Sequence, residues 1–246
     1  MTQLAIIGGT GLTQLNALNI IDSQTLDTPF GQPSAPIVTG ELHGKQVLFL
    51  ARHGNPHHIA PHHINYRANL WALSQLGVKN IIAVAAVGGI SAEMSPAHIA
   101  IPDQIIEYSY GRDHTFFAEQ NAVVQHIDFT HPYSQPLRQV LISAAEQIRL
   151  RVAPRGTYGC TQGPRLETIA EIRRMERDGC DLVGMTAMPE AALARELAIN
   201  YAAVAVVANW AAGKTSQEIT MAEIEHNLHK GMSNTAQLLT AAIALL

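Results

Sequence analysis

Short apolar runs recur along the chain, each closed by glycine or a polar turn, and stretches with apolar residues at helical spacing lie between them. Leu4-Ala5-Ile6-Ile7 is the first run, closed by Gly8-Gly9-Thr10-Gly11, and it predicts a buried strand. Residues 37–41 and 46–51 flank His43-Gly44 and predict a hairpin, which adds an antiparallel pair to the sheet. Tyr66, Leu70, Leu73 and Leu76 repeat at helical spacing over residues 65–76, with Gly77 as the stop. Residues 81–87 predict another buried strand, ending at Gly88-Gly89. No period emerges over residues 103–136, so short strands and loops are expected there.

Further on, residues 137–150 predict a helix and 157–161 a strand. Thr168-Ile169-Ala170-Glu171 matches a capping box, so a helix should begin there. Leu182-Val183-Gly184 reads as a short strand, and Pro189-Glu190 as a helix start, proline being favoured in the first turn. Residues 201–208 predict a strand, and Thr220-Met221-Ala222-Glu223 is a second capping box opening a long helix toward Leu246. The expected architecture is α/β, a single domain over residues 1–246 with a central mixed β-sheet flanked by helices.

Composition narrows the function classes. Hydrophobic residues make up 47% and charged ones 15%, enough for a substantial core and too apolar for disorder. A formal charge of -4 with 16 Lys and Arg argues against nucleic acid as a partner, while leaving room for a small anion held by one or two arginines. Cys160 and Cys180 make neither a disulfide framework nor a four-ligand zinc site, and fit a reducing compartment. Met1-Thr2-Gln3-Leu4 lacks a basic leader, and no apolar run approaches ~18 residues, so a soluble cytoplasmic protein without membrane contact is expected.

Candidate chemistry gathers at strand ends. In open α/β sheets ligands bind outside the carboxyl ends of the strands. Asn209 stands where the apolar run 202–208 stops, and its amide either ties down its own turn or reads a ligand. Gly8-Gly9-Thr10-Gly11 is either a tight turn or an anion-facing loop. It is not a dinucleotide fingerprint, because residues 10 and 13 are Thr and no acidic strand end follows. Arg52-His53-Gly54 offers a guanidinium suited to phosphate, or a surface ion pair. His53, His57, His58, His62 and His63 form a histidine-rich tract, but it lacks a helical ligand pair and any acidic residue between its histidines, so no metal is expected. Thr186 precedes a helix start and is either a plain cap or an anion donor.

Taken together these segments resemble the purine nucleoside phosphorylase and methylthioadenosine phosphorylase family. The resemblance runs through Ile6-Ile7-Gly8-Gly9-Thr10-Gly11-Leu12, Asp27-Thr28-Pro29-Phe30-Gly31, Leu50-Ala51-Arg52-His53-Gly54, Asn65-Tyr66-Arg67-Ala68-Asn69, Gln162-Gly163-Pro164-Arg165 and Met188-Pro189-Glu190. It implies the nucleoside phosphorylase fold, a homotrimer, inorganic phosphate as co-substrate, and no metal or organic cofactor. By position it implies phosphate binding by Thr10, Arg52, His53, Thr186 and the Ala86 N–H, with Met185 against the ribose. Ala85 stands where the methylthioadenosine branch usually has a phosphate-facing threonine.

The base pocket departs from adenine-specific relatives. Asn209-Trp210-Ala211 replaces an aspartate-containing strand end, and Leu166-Glu167 replaces a serine turn, as in 6-oxopurine phosphorylases. Hypoxanthine offers a donor at N1 and an acceptor at O6, so Glu167 can accept while Asn209 donates; adenine inverts this pattern. Such a site can reject the mismatched base by roughly 10⁴ to 10⁵ when buried groups go unpaired. At the sugar 5′ end, Met221 takes the position of an apolar methylthio contact, and His126 resembles a second wall supplied by a neighbouring subunit. The expected reaction is phosphorolysis of 5′-methylthioinosine to hypoxanthine and 5-methylthioribose 1-phosphate, with Asn209 and Glu167 as the catalytic pair. Action on inosine and guanosine, or on methylthioadenosine, remains open, as does a non-catalytic nucleotide- or anion-binding module.

Overall fold

The long apolar runs assemble into one sheet of eleven strands in this computed structural model, which describes residues 4–9, 19–42, 44–118 and 123–246. β1 (Leu4–Gly8) lies between two parallel neighbours that come later in the chain. The expected hairpin joins β3 (Ile37–Leu42) to β4 (Lys45–Ala51), and β4 is one of those neighbours. β2 (Asn19–Gln24) is the edge strand beyond β3; it is largely exposed and carries no apolar alternation, so the sequence pattern does not disclose it.

The other neighbour of β1 is β5 (Asn80–Gly89), which pairs in parallel along nearly its whole length with β11 (Asn200–Trp210). β6 (Ile99–Ala100) and β8 (Val152–Ala153) extend the sheet from β11, and at two residues each they are too short to show a period. Successive residues of a strand face opposite sides, and here both sides are covered. Tyr201, Ala203, Ala205 and Val207 join the core under α1 (Tyr66–Gln75) and α4 (Ala187–Glu196). Ala202, Val204 and Val206 join the core under α2 (Gln135–Gln147) and α5 (Met221–Leu245).

Local signals place the helix starts. Asn65 accepts a hydrogen bond from the Ala68 N–H at 3.0 Å, a cap whose loss costs about 1 kcal/mol. Both halves of the Thr168–Glu171 box form at the start of α3 (Ile169–Arg177), whereas at Thr220 only the hydroxyl half forms. α2 starts two residues ahead of the expected position, capped by Ser134. Met188 is extended, so the regular part of α4 opens at Pro189 as anticipated.

One topological feature creates the site. On the edge of β5 away from β11, β1 covers residues 80–83 and the antiparallel β10 (Leu182–Gly184) covers Gly88 and Gly89. Among the described residues no strand covers residues 84–87 on that edge. The sheet forks there, with β1, β4, β3 and β2 on one branch and β10, β9 (Thr157–Cys160) and β7 (Gln104–Glu107) on the other. No helix among the described residues is long and apolar enough to cross a membrane.

Candidate active site at the fork of the sheet

Arg52 leaves the end of β4, its N–H bonded to the Gly8 carbonyl at 2.9 Å, and its side chain fills the fork. Nη1 donates to the Val84 carbonyl at 3.0 Å on the uncovered edge of β5. The N–H and C=O of one strand residue point to the same side, and alternate residues repeat the direction. The Ala86 N–H therefore faces the same gap as the Val84 carbonyl. Ala86 is exposed and Ala85 half-buried in an otherwise buried strand, which marks open space beside them. Thr10, expected beside Arg52, lies outside the described residues.

Arg52 is paired inside the protein, a feature not anticipated from the sequence. Nε and Nη2 donate to the two carboxylate oxygens of Glu190 at 2.7 and 2.8 Å, and Glu190 also accepts from the Tyr201 hydroxyl at 2.8 Å. Burial opposes the charge on Arg52, but Glu190 outweighs it and holds the guanidinium protonated. Of five N–H donors, three are engaged and two have no partner among the described residues.

His53 is neutral. Burial first, then the Arg52 charge, push its pKa down from 6.5 to about 4. Its Nδ1 lies 2.8 Å from the Ile59 carbonyl, which can only accept, so Nδ1 carries the hydrogen and Nε2 presents a lone pair. The ring stacks on His57 at 4.3 Å, and the His62 and His63 rings pack at 4.0 Å, yet no three metal-ligating side chains converge among the described residues.

On the other branch, Thr186 is the buried N-cap residue of α4, and its hydroxyl makes no cap hydrogen bond. Its backbone N–H meets the Tyr158 hydroxyl at 3.5 Å. Met185 lies so close to Gly163 that a side chain there would collide with the thioether, and Gly163 has the left-handed φ of 61° that glycine tolerates. Pro61, from the histidine-rich tract, touches the same glycine position, so tract, Gly163 turn and Met185 converge.

The elements that carry Glu167 and Asn209 are joined through α3. Gly213, just after β11, lies against Ile169 at the start of α3, and Ala211 joins Ile172 and Met175 in one apolar cluster. The loop carrying Leu166 and Glu167 therefore leads into a helix that packs against the chain just past Asn209 and Trp210. Arg165 pins that loop with two hydrogen bonds to Glu171, at 2.9 and 2.7 Å, and holds the Glu171 carboxyl down to about 2. Burial raises the pKa of Glu167, partly offset by the Thr161 hydroxyl donating to it at 2.7 Å. Leu166 is exposed, and Trp210 is half-buried.

Asn209 lies inside β11, immediately past a bulge, rather than beyond the strand as expected. One Nδ2 hydrogen goes to the Trp210 carbonyl at 2.8 Å, so the turn-tying role is real. The second N–H and Oδ1 take no hydrogen bond from a described residue. Asn227 of α5 donates to the Ala208 carbonyl at the bulge, at 2.8 Å, which ties α5 to this strand end. A cleft of about 930 Å³ opens between Trp210, Thr220 and Asn227. Met221, next in the chain after the lining residue Thr220, is the first residue of α5 and is 66% exposed, and His126 lies in an exposed loop. A second cavity of about 320 Å³, around Asn200 at the opposite end of β11, contains none of the expected site residues.

Arg112 is the other group not anticipated. It comes from the aperiodic stretch 103–136, where no pattern singled it out. It is 8% exposed and stacks over the Tyr66 ring at 5.7 Å.

The profile of the Phosphorylase superfamily matches residues 3–244. The probable S-methyl-5′-thioinosine phosphorylase of Pseudomonas syringae pv. tomato is 54% identical over 99% of both chains. The 6-oxopurine nucleoside phosphorylase of Pyrococcus furiosus is 45% identical over 100% of this chain and 94% of its own. Among solved structures, the methylthioadenosine phosphorylase of Schistosoma mansoni in complex with adenine superimposes with a TM-score of 0.93 at 29% identity, covering 100% of this chain and 92% of that one.

Proposed function

Because this chain is a member of the phosphorylase superfamily, we propose that it cleaves 5′-methylthioinosine with inorganic phosphate to give hypoxanthine and 5-methylthioribose 1-phosphate. The observation that carries the base assignment is that α3 ties two elements together: the loop bearing a carboxylate acceptor, Glu167, runs into its start, and the chain just past Asn209, an amide with one N–H that has no described partner, packs against it through Ala211 and Gly213. That pair complements N1–H and O6 of an oxopurine. The relatives named for methylthioinosine and for 6-oxopurine nucleosides support the same reading.

In this reading phosphate occupies the fork. Arg52 offers its two remaining N–H groups, Thr186 a hydroxyl at the positive end of α4, and Ala86 its N–H, with Thr10 completing the set. His53 Nε2 accepts from a protonated phosphate oxygen. A phosphate oxygen attacks C1′ as the bond to N9 lengthens, and the departing purine takes the bonding electrons. Asn209 donates to O6 as that charge develops, and Glu167 fixes the base orientation. Donors aimed at charge that appears only in the transition state lower the barrier. Phosphate is a co-substrate, and the proposed scheme uses no other cofactor. Met221, with His126 of a neighbouring copy in a homotrimer, would wall the 5′-methylthio group. The cleavage of inosine and guanosine is the second reading, favoured by the Pyrococcus furiosus relative and by the exposure of Met221.

The test is kcat/KM for methylthioinosine, methylthioadenosine, inosine and guanosine with phosphate. Methylthioinosine is expected to lead. Efficient use of methylthioadenosine sinks the base assignment, equal use of inosine sinks the 5′ assignment, and ligand binding without phosphate-dependent base release leaves a binding module.

A further inference from the structure

Arg112 donates to four backbone carbonyls that belong to two separate loops, and besides these to the Gln162 side chain and, at 3.4 Å, to the Tyr66 hydroxyl. Nη2 donates to Thr161 and Gln162 at 3.0 and 2.9 Å, and Nε to the Gln162 side-chain oxygen at 3.1 Å. Nη1 donates to Met185 at 2.8 Å and also to Met188, the two carbonyls that flank Thr186 and Ala187. The first loop leads through Gly163 to Glu167, and Thr161 itself holds the Glu167 carboxylate. The second carries Thr186 and opens α4. One planar guanidinium thus clamps the base-facing loop to the anion-facing turn.

Among the described residues its charge has no carboxylate partner, whereas Arg52 is matched by Glu190. His53 is neutral. Arg112 therefore holds a positive charge behind the turn that ends in Thr186, which favours an anion there, while its donors set the position of the loop bearing Glu167.

We propose that Arg112 is a positioning residue that couples the two subsites, so that phosphate binding and base binding strengthen each other through the loops it joins. This rests on the proposed placement of phosphate and purine. A rigid fork is required, because lysine supplies the charge but cannot bridge several carbonyls in one plane. Coupling of this kind is reciprocal and commonly amounts to about 5- to 150-fold in affinity.

The experiment is calorimetry of hypoxanthine binding with and without saturating phosphate, on the wild type, on Arg112→Lys and on Gln162→Leu. The readout is the ratio of the two affinities, which does not depend on turnover. The expected result is a ratio well above one for the wild type, near one for Arg112→Lys, and intermediate for Gln162→Leu, which removes the Nε acceptor, also the acceptor of the Tyr110 N–H, and leaves the four carbonyl contacts of Arg112 in place. A wild-type ratio of one overturns the proposal, and so does a wild-type ratio preserved in Arg112→Lys. If Arg112→Lys does not fold, an unchanged ratio in Gln162→Leu overturns it. Failure of the wild type to bind either ligand removes the placement of both subsites, whereas wild-type binding of both with no phosphorolysis removes only the catalytic reading.

Discussion

Arg52 and Glu190 are 138 residues apart in the chain and meet side-on in the core, with both partners almost completely enclosed. The pair neutralises the arginine while leaving two of its N–H groups without a described partner, so a strong charge can sit in the fork without an anion present. Glu190→Gln leaves that buried guanidinium uncompensated. The expected loss is about 3–5 kcal/mol, which for a chain of this length lowers Tm by roughly 2–4 °C per kcal/mol. Thermal unfolding checks it, and a Tm within about 2 °C of wild type would contradict the assigned weight of the pair.

Burial raises the pKa of Glu167, and the Thr161 hydroxyl, by donating to the carboxylate, offsets part of that rise. Glu167 has a raised pKa, so its ionised fraction, and with it the preference for an oxopurine over an aminopurine, should fall as pH drops through that raised value. Thr161→Val keeps the shape and removes the donor. A hydrogen bond to a charged group contributes about 1.5–3 kcal/mol, so the acidic limb of kcat/KM for methylthioinosine should move up by roughly 1–2 pH units. A superimposable profile would separate Glu167 from the pH dependence.

The His53 pKa, lowered from 6.5 to about 4, has a stability consequence. Between those values the unfolded chain binds a proton that the folded chain refuses, so stability is full above 6.5 and is lost as pH falls toward 4. Denaturant midpoints at pH 7 and pH 5 should therefore differ more for the wild type than for His53→Asn. Equal differences would mean the imidazole titrates normally in the fold.

Met221→His addresses the 5′ end of the sugar. Exchanging a thioether for a hydrogen-bonding ring should shift preference from methylthioinosine toward inosine. The expected change in the kcat/KM ratio is about 10- to 200-fold, the range of small apolar discriminations. An unchanged ratio would place the 5′ determinant elsewhere along the cleft.

The proposed base-reading pair was visible as residue types, but its setting in the fold was not. Asn209 and Glu167 stood out because a polar amide ended an apolar run and a glutamate followed a Gly-Pro-Arg turn. The bulge that keeps Asn209 inside β11, and the contact of Gly213 with Ile169 that joins the two elements through α3, carry no local signature. Arg112 was invisible for a related reason. An arginine satisfied by backbone carbonyls needs no charged partner at a recognisable spacing, so neither charge pattern nor periodicity marks it.

The amino-acid sequence by itself determined the long strands, the helix starts at Asn65, Thr168 and Pro189, and the α/β layering. These depend on side-chain periodicity and on hydrogen bonds within a few residues. Only the tertiary structure decided that β5 is left uncovered at residues 84–87, that Glu190 meets Arg52 there, and that Arg112 bridges two loops above it. Those features arise because β1 and β10 cover different stretches of one edge of β5. Which stretches they cover is set by how the apolar faces pack across the whole chain, and no short window of residues records it.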